Sequence, residues 1–282
     1  MPSISKTFHK VFTILLLFVL SIIAVKADDL KAEDIISKHL EAIGTKEKRD
    51  AIINRMAIGI SEFESKLPSR KTGGKMIIVS QGNNLFFVSS FNSENYPFEK
   101  IGYFDEKVNV PIIIQGTRSP LGVFVSDHSK LLSEGLFAGS IASTWNFLNP
   151  QLKKGKLATA GTKKIDGHKA YVLNYYESGS SPSFTIRLFF DAETFQHIRT
   201  EYRDVVESKA AQFGTLGKDT GSETTLTESF GDFKNESGLT LPHTYKIAFG
   251  TISNVGTVEY NWNFKIAEYR LNQNLTPDFF NF

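Results

Sequence analysis

The residues best placed to do chemistry are Asp191, Glu193, His197, Glu201 and Asp204. Carboxylates gathered around one histidine are the material of general acid–base hydrolysis, and on a helix His197 and Glu201 would be neighbours. The stretch does not read as helix. Asp191-Ala-Glu-Thr is a turn, and after it His197, Arg199, Glu201 and Arg203 alternate with Ile198, Thr200 and Tyr202. That pattern predicts a strand whose charged set points outward and pairs with neighbouring strands. His39, His128, His168 and His243 fall at no usual metal-ligand spacing. The sequence holds no Gly-x-Ser-x-Gly elbow, phosphate loop, dinucleotide fingerprint or His-Glu-x-x-His pair, and no cysteine. Thiol chemistry, cysteine-based zinc and disulfides are thereby excluded. The expectation is a protein without catalytic residues, metal or cofactor.

The N-terminus predicts export. A basic start (Lys6, His9, Lys10) precedes an apolar run from Val11 to Val25 that ends in Val25-Lys26-Ala27, the layout of a signal peptide cleaved after Ala27. The run is shorter than the roughly 18 apolar residues of a membrane span, and Asp28 and Asp29 follow it directly. Residues 1–27 are thus read as the leader and 28–282 as one domain. Cleavage moves the formal net charge from +2 to −1, which argues against a nucleic-acid partner, since phosphate binding needs a concentrated basic face. A monomer is expected.

Positioning elements are mostly strands. Residues 29–43 carry Ala32, Ile35, Ile36, His39, Leu40 and Ile43 at helical spacing, with Gly44 as the stop. From Lys75 onward short β-rich runs follow, at 75–81, 84–91, 99–104, 107–115, 168–176, 183–190, 196–203, 224–233, 241–249 and 255–269. Short separations between runs imply hairpins and an antiparallel sheet. Val258, Tyr260, Trp262, Phe264 and Ile266 share one face of the last strand; Phe184, Ile186, Leu188 and Phe190 repeat the pattern. A second helical stretch, broken at Gly135 and Gly139, is predicted from an Asp127 N-cap to Leu148, carrying Leu131, Leu132, Leu136, Phe137, Ile141, Trp145 and Leu148. Residues 205–223 read as a long exposed loop, and Asp278 with Phe279–Phe282 as a last docking segment. So little helix is thin cover for about ten strands. Either the sheet curls over its own apolar face or that face encloses a cavity.

Certain stretches resemble a known family. Phe184-Thr-Ile-Arg-Leu-Phe-Phe-Asp191-Ala-Glu-Thr-Phe195 with His197-Ile-Arg-Thr-Glu-Tyr-Arg203, the opening helix Ala32 to Gly44, and the hairpin from Phe230 through Gly238 and Pro242 to Tyr245 are similar to the periplasmic lipoprotein carriers of the LolA type and their relatives. The resemblance runs in order over most of 29–270. It implies a mainly β (α+β) fold: a curved antiparallel sheet forming an unclosed β-barrel, with short helices covering its concave face. It also implies a periplasmic, non-catalytic carrier of acyl chains of lipid or lipoprotein. Phe184, Ile186, Leu188, Val258, Tyr260, Trp262 and Phe264 are then expected as lining, and Leu132, Leu136, Phe137, Ile141 and Trp145 as lid. Relatives of this kind also sit on anti-sigma factors, so an envelope protein partner is the alternative. The 205–223 stretch is extra to the simple carriers, and no lipid-contacting arginine of the family is matched here.

Overall fold

Among the described residues, twelve strands form a single antiparallel sheet of order β5-β4-β3-β2-β1-β12-β11-β10-β9-β8-β7-β6. They are β1 (Asn54–Lys66), β2 (Ser69–Gln81), β3 (Asn84–Ser90), β4 (Phe98–Phe104), β5 (Lys107–Asn109), β6 (Lys156–Ile165), β7 (His168–Tyr176), β8 (Phe184–Asp191), β9 (His197–Val206), β10 (Ser222–Glu236), β11 (Leu239–Ser253) and β12 (Gly256–Leu271). The computed structural model describes residues 30–282 apart from 67, 114–115, 150–154, 178, 180, 207–220, 255, 277 and 282. The leader and the centre of the 205–223 loop lie outside the described residues; the loop's ends belong to β9 and β10.

Every pairing joins sequence neighbours except β1 with β12, which joins the two halves, and the neighbours β5 and β6 do not pair. The sheet is unclosed, with β5 and β6 as its edges. It is also curled. Ser143 bonds Ser80 on β2, and Asn146 bonds Tyr175 on β7. Three residues of chain reach at most ~11 Å, whereas seven strand spacings laid flat would cover roughly 34 Å. Only a sheet rolled around this segment brings β2 and β7 that close.

Among the described residues the helices are α1 (Ala32–Ile43), α2 (Lys46–Asp50), α3 (Pro120–Asp127) and α4 (Lys130–Ser133), with one 3₁₀ turn at Gly139–Ile141. Helix α1 buries Ala32, Ile35, Ile36, His39 and Ile43 on one face and carries Glu33 and Asp34 in its first turn, where the helix dipole favours them. The expected second helix is corrected. Asp127 ends α3 rather than capping a new helix; Ser119 is the N-cap, accepting from the Gly122 N–H at 2.8 Å, with Pro120 next. Beyond α4 the chain turns through Gly135 at φ +64°, where a Cβ would lie 1.9 Å from the Thr144 carbonyl oxygen. Leu131, Leu132 and Leu136 therefore reach the core from successive turns, which imitates helical spacing.

Two strands escape the sequence pattern. On β1 the inward residues are Arg55, Ala57, Gly59, Ser61, Phe63 and Ser65, while Met56, Ile58 and Ile60 face outward. Strand β6 is exposed along nearly its whole length. The run expected at 107–115 is a three-residue strand. His197 is also corrected. At a bulge, Phe189 pairs with Arg199 and Phe190 with His197, so Ile198 is the extra residue. The bulge turns His197 inward, where it is fully buried. At the C-terminus Phe279 packs edge-on against Phe86 and Phe280 is buried, so the tail docks as expected for those two residues.

At the β1–β12 junction a bulge at Ile58/Gly59 brings the backbones together, and a Cβ on Gly59 would meet the Lys265 carbonyl oxygen at 2.0 Å. Gly59→Ala is expected to cost about 1–3 kcal/mol by forcing the junction apart. Gly250→Ala, whose Cβ would meet nothing closer than 3.9 Å, should stay within about 0.5 kcal/mol. Urea midpoints of the two variants check the contrast.

Candidate functional site

The concave face is covered by the connection between β5 and β6. Its residues 118–149 lie across the sheet with Leu121, Val125, Leu131, Leu132, Leu136, Phe137, Ala138, Ile141, Ala142 and Trp145 all buried. Most of this stretch is irregular backbone, whose polar groups need partners once water is excluded. The sheet and α1 supply them. Arg55 on β1 donates to the Ser140 carbonyl at 2.7 Å. Ser80 on β2 accepts from the Ser143 N–H at 2.7 Å. Tyr175 on β7 donates to Glu134 at 2.6 Å, and Asn146 donates to the Glu134 carbonyl at 2.7 Å. Trp145 donates to His39 Nε2 at 3.0 Å, which fixes the proton on Nδ1, facing the Phe195 carbonyl at 3.0 Å.

Glu228 on β10 is the centre of this arrangement. Its inward neighbours along the strand are Leu226 and Phe230, so it stands at an apolar position, fully buried. It accepts from the Ala138 N–H at 2.8 Å, from Tyr202 at 2.7 Å and from Tyr245. Burial pushes its carboxyl up to about 7, against the lowering effect of these donors. Tyr202 also lies 3.3 Å from the Leu136 carbonyl oxygen, and its single hydroxyl hydrogen serves one acceptor at a time. With Glu228 protonated at Oε2, the acid donates to Tyr202 and Tyr202 donates to Leu136. With Glu228 ionised, Tyr202 turns to the carboxylate and Leu136 loses that bond. The proton on Glu228 therefore adds a tether to the segment.

Glu99 on β4 repeats the device at the start of the segment. It is buried, bonded by Tyr96 at 2.5 Å and by the Ser119 hydroxyl, and burial raises it to about 7. Trp262 in turn donates to Tyr96 at 2.7 Å. Burial, then the nearby Glu134 charge, raises Glu177 to about 7 as well. Arg55 is lowered by burial only to about 10 and stays charged at neutral pH.

The acids and histidine of 191–204 do not converge on a reactive centre. Asp191 Oδ1 caps its own turn at the N–H groups of Glu193 and Thr194. Glu201 lies 3.7 Å from Arg199, and Asp204 lies 3.5 Å from His128. His197 stacks on Trp145 beneath the covering segment and bonds Thr200 at 2.9 Å. Among the described residues no group of three or more His, Cys, Asp or Glu is placed to hold a metal ion.

The expected lining and lid residues meet in part. Phe87 sits between Phe137 of the segment and Phe264 of β12, with ring centroids 6.0 and 5.6 Å away. Leu132, Leu136, Ile141 and Trp145 are buried, as are Phe184, Ile186, Leu188 and Trp262. Phe184 stacks on His128 beside α3. Tyr260 is half-buried and Val258 exposed, because β12 runs on past the cover. Each end of the segment borders open space. Near Phe147 a groove of about 590 Å³ is lined by Ile36, Leu40, Asn146, Phe147, Leu157 and Tyr175 among others. At the α3 end two grooves of about 210 and 310 Å³ share Arg118 and Pro120. Sequence reasoning missed the tethers Arg55, Glu99, Glu134 and Glu228. The signal available was a charged residue at an inward position of a strand: Glu228 between Leu226 and Phe230, and Glu99 in step with Ile101 and Tyr103.

The buried groups set a pH dependence. Glu99, Glu177 and Glu228 bind their protons more tightly folded than unfolded, so their contribution rises as pH falls through about 7 and levels off near 4.5. Buried His39, lowered to about 4, and His197, also lowered, act in the opposite sense and remove stability as pH falls below 6.5. Three glutamates outweigh two histidines down to about pH 5, so urea midpoints are expected to rise as pH falls from about 8 and to peak near about pH 5. In Glu228→Gln the alkaline decline should flatten while the acid limb stays.

No family model and no curated protein matches the sequence. Among solved structures, the chain is similar to an outer membrane lipoprotein-sorting protein domain from Vibrio parahaemolyticus (12% identity, TM-score 0.44, covering 87% of this chain and 97% of that one). It is also similar to a DUF1329 family protein from Desulfovibrio piger (10% identity, TM-score 0.42, 88% and 96%). A third likeness is to the lipoprotein LppX from Mycobacterium tuberculosis (8% identity, TM-score 0.24, 87% and 98%).

Proposed function

We propose that this protein is a non-catalytic binder and carrier of the acyl chains of a lipid or lipoprotein, working outside the cytoplasm in the periplasm. The observation that carries the reading is the cover of the concave face. It is an irregular segment held by a few side-chain tethers, with open grooves at both of its ends. Displacing it would join those grooves over a floor of Phe184, Ile186, Leu188, Tyr260, Trp262 and Phe264, with Val258 at the mouth. Leu132, Leu136, Phe137, Ile141 and Trp145 are the groups that leave. The leader read over residues 1–27 supports the location.

The energetics suit a carrier. Burying an acyl chain contributes about 0.8 kcal/mol per methylene, so a sixteen-carbon chain alone would contribute on the order of 12 kcal/mol and would hardly leave. Here the chain replaces apolar side chains that are already buried. Net affinity is the difference between two large burials, and cargo can be passed on.

A covalent lock tests this directly. Ser80 Oγ and Ser143 Oγ lie 3.1 Å apart, and the chain has no cysteine of its own, so Ser80→Cys with Ser143→Cys forms one defined disulfide. Uptake of a fluorescent sixteen-carbon acyl probe is expected in the reduced form, with a loss of about tenfold or more on oxidation. Equal uptake by both forms would place the chain elsewhere and remove displacement from the mechanism.

A further inference from the structure

The groove near Phe147 carries both Lys156 and Glu33, whereas the two grooves at the α3 end share one arginine, Arg118. Arg118 is exposed, and its Nε donates to the Val110 carbonyl at 2.8 Å. Arg199, Arg203 and Arg270 each face a carboxylate; Arg118 has no ion pair among the described residues. Its side chain stands where the two grooves meet. On one side lie Phe63, Tyr260 and Trp262 with Pro120 and Ile113. On the other, the groove beside Phe249 runs to Asp127 and Asp204.

Phe63 pairs with Trp262 across β1 and β12, and Phe249 pairs with Tyr260 across β11 and β12. The floor is thus a continuous aromatic surface that leads along β12 towards Phe264 under the cover. Glu99, beneath this groove, is bonded by Tyr96 and Ser119 and is buried. Asp127 and Asp204 would repel an anion from the far groove, so an anionic group belongs on the Trp262 side of Arg118. The polar remainder of the guanidinium offers the paired donors that a carboxylate or phosphate accepts.

From this juxtaposition we infer that the ligand is an anionic amphiphile whose headgroup carboxylate or phosphate is bound by Arg118 while its chain lies over Tyr260 and Trp262. The inference rests on the acyl-binding reading and adds to it a headgroup site and a charge requirement. It makes Arg118 a specificity-determining residue, distinct from the tethers Arg55, Glu99 and Glu228, and requires no change in the sheet.

The test compares probes that share a twelve-carbon chain. Laurate, dodecyl phosphate and uncharged 1-lauroylglycerol are titrated calorimetrically into the leaderless protein at pH 7, each below its micellar concentration. Both anions should bind roughly tenfold tighter than the neutral ester, the size of one charge-assisted contact. In Arg118→Gln the anions should fall to the level of the ester, whose own affinity stays unchanged, and Arg118→Lys should keep much of the preference. Equal binding of charged and uncharged probes by the native protein, or an undiminished preference in Arg118→Gln, would overturn the headgroup site while leaving acyl binding standing. Inorganic phosphate that competes as well as dodecyl phosphate would also overturn it, since the site would then read free anions. Failure of all three probes to bind would sink the acyl-binding reading and the headgroup site together.

Discussion

The structure depends on one topological constraint. Strands β1–β5 and β6–β12 are two meanders joined through β1 and β12, so consecutive strands β5 and β6 end up on opposite edges of the sheet. The chain between them must cross a face, and the apolar face is the one that needs covering. A crossing segment buried there brings its peptide groups with it, and each requires a partner. Polar residues at inward positions of the strands follow from that need. Arg55, Ser80, Tyr175 and Glu228 serve backbone or side-chain atoms of a segment that cannot satisfy itself as a helix would. The upward shift of Glu228 and the neutrality of His39 are therefore results of the crossing, since both groups are buried by it.

How far this was legible in the sequence depends on what each strand faces. Where one face is apolar and the other meets water, as in β8 and β12, alternation reveals both the strand and its inward set. Strand β1 is central and yet was invisible, because its inward positions need space and donors: Gly59 for the close approach to β12, Arg55 for Ser140. Its larger side chains lie on the convex face, so the pattern points the wrong way. Strand β6 is an edge with little to bury on either side, and Lys163 and Lys164 beside Thr162 resemble loop. The segment 127–148 was misread for a different reason. Its leucines recur at helical intervals, but Gly135 at positive φ breaks the helix after α4, and tertiary packing rather than helical geometry brings Leu136 and Phe137 to the core.

The site was partly legible in the same way. Aromatic and aliphatic floor residues announce themselves by parity, and Phe264 does lie opposite Phe137 across Phe87. A bulge defeats parity, as at Phe189/Phe190, where one extra residue moves His197 from the solvent side to the core. The charged tethers were not legible as a set because their partners are backbone atoms of a remote segment: Arg55 and Ser140 are 85 residues apart, Ala138 and Glu228 are 90. A single sequence carries no mark of such pairs beyond a charge in an apolar position.

Those tethers also limit what can replace the segment. Once it leaves, Arg55 loses Ser140 and Glu228 loses Ala138, and hydrocarbon laid over either would bury a polar group without a partner, at a cost of several kcal/mol for a charge. A featureless chain spread across the whole concave face is therefore disfavoured. The inward side chains of β12 itself, from Val258 through Tyr260 and Trp262 to Phe264, include no charged tether and span about 20 Å at strand rise, and Glu99 beside them keeps Tyr96 as a partner. Beyond Phe264, Tyr245 and then Glu228 are reached, and the occupant there must be water or polar atoms. A ligand whose chain follows β12 satisfies both demands. Its hydrocarbon meets aromatic rings, and water entering from the groove near Phe147 satisfies the stranded tethers. On the acyl-binding proposal, the polar centre that pins the cover would thus mark the inner limit of the chain.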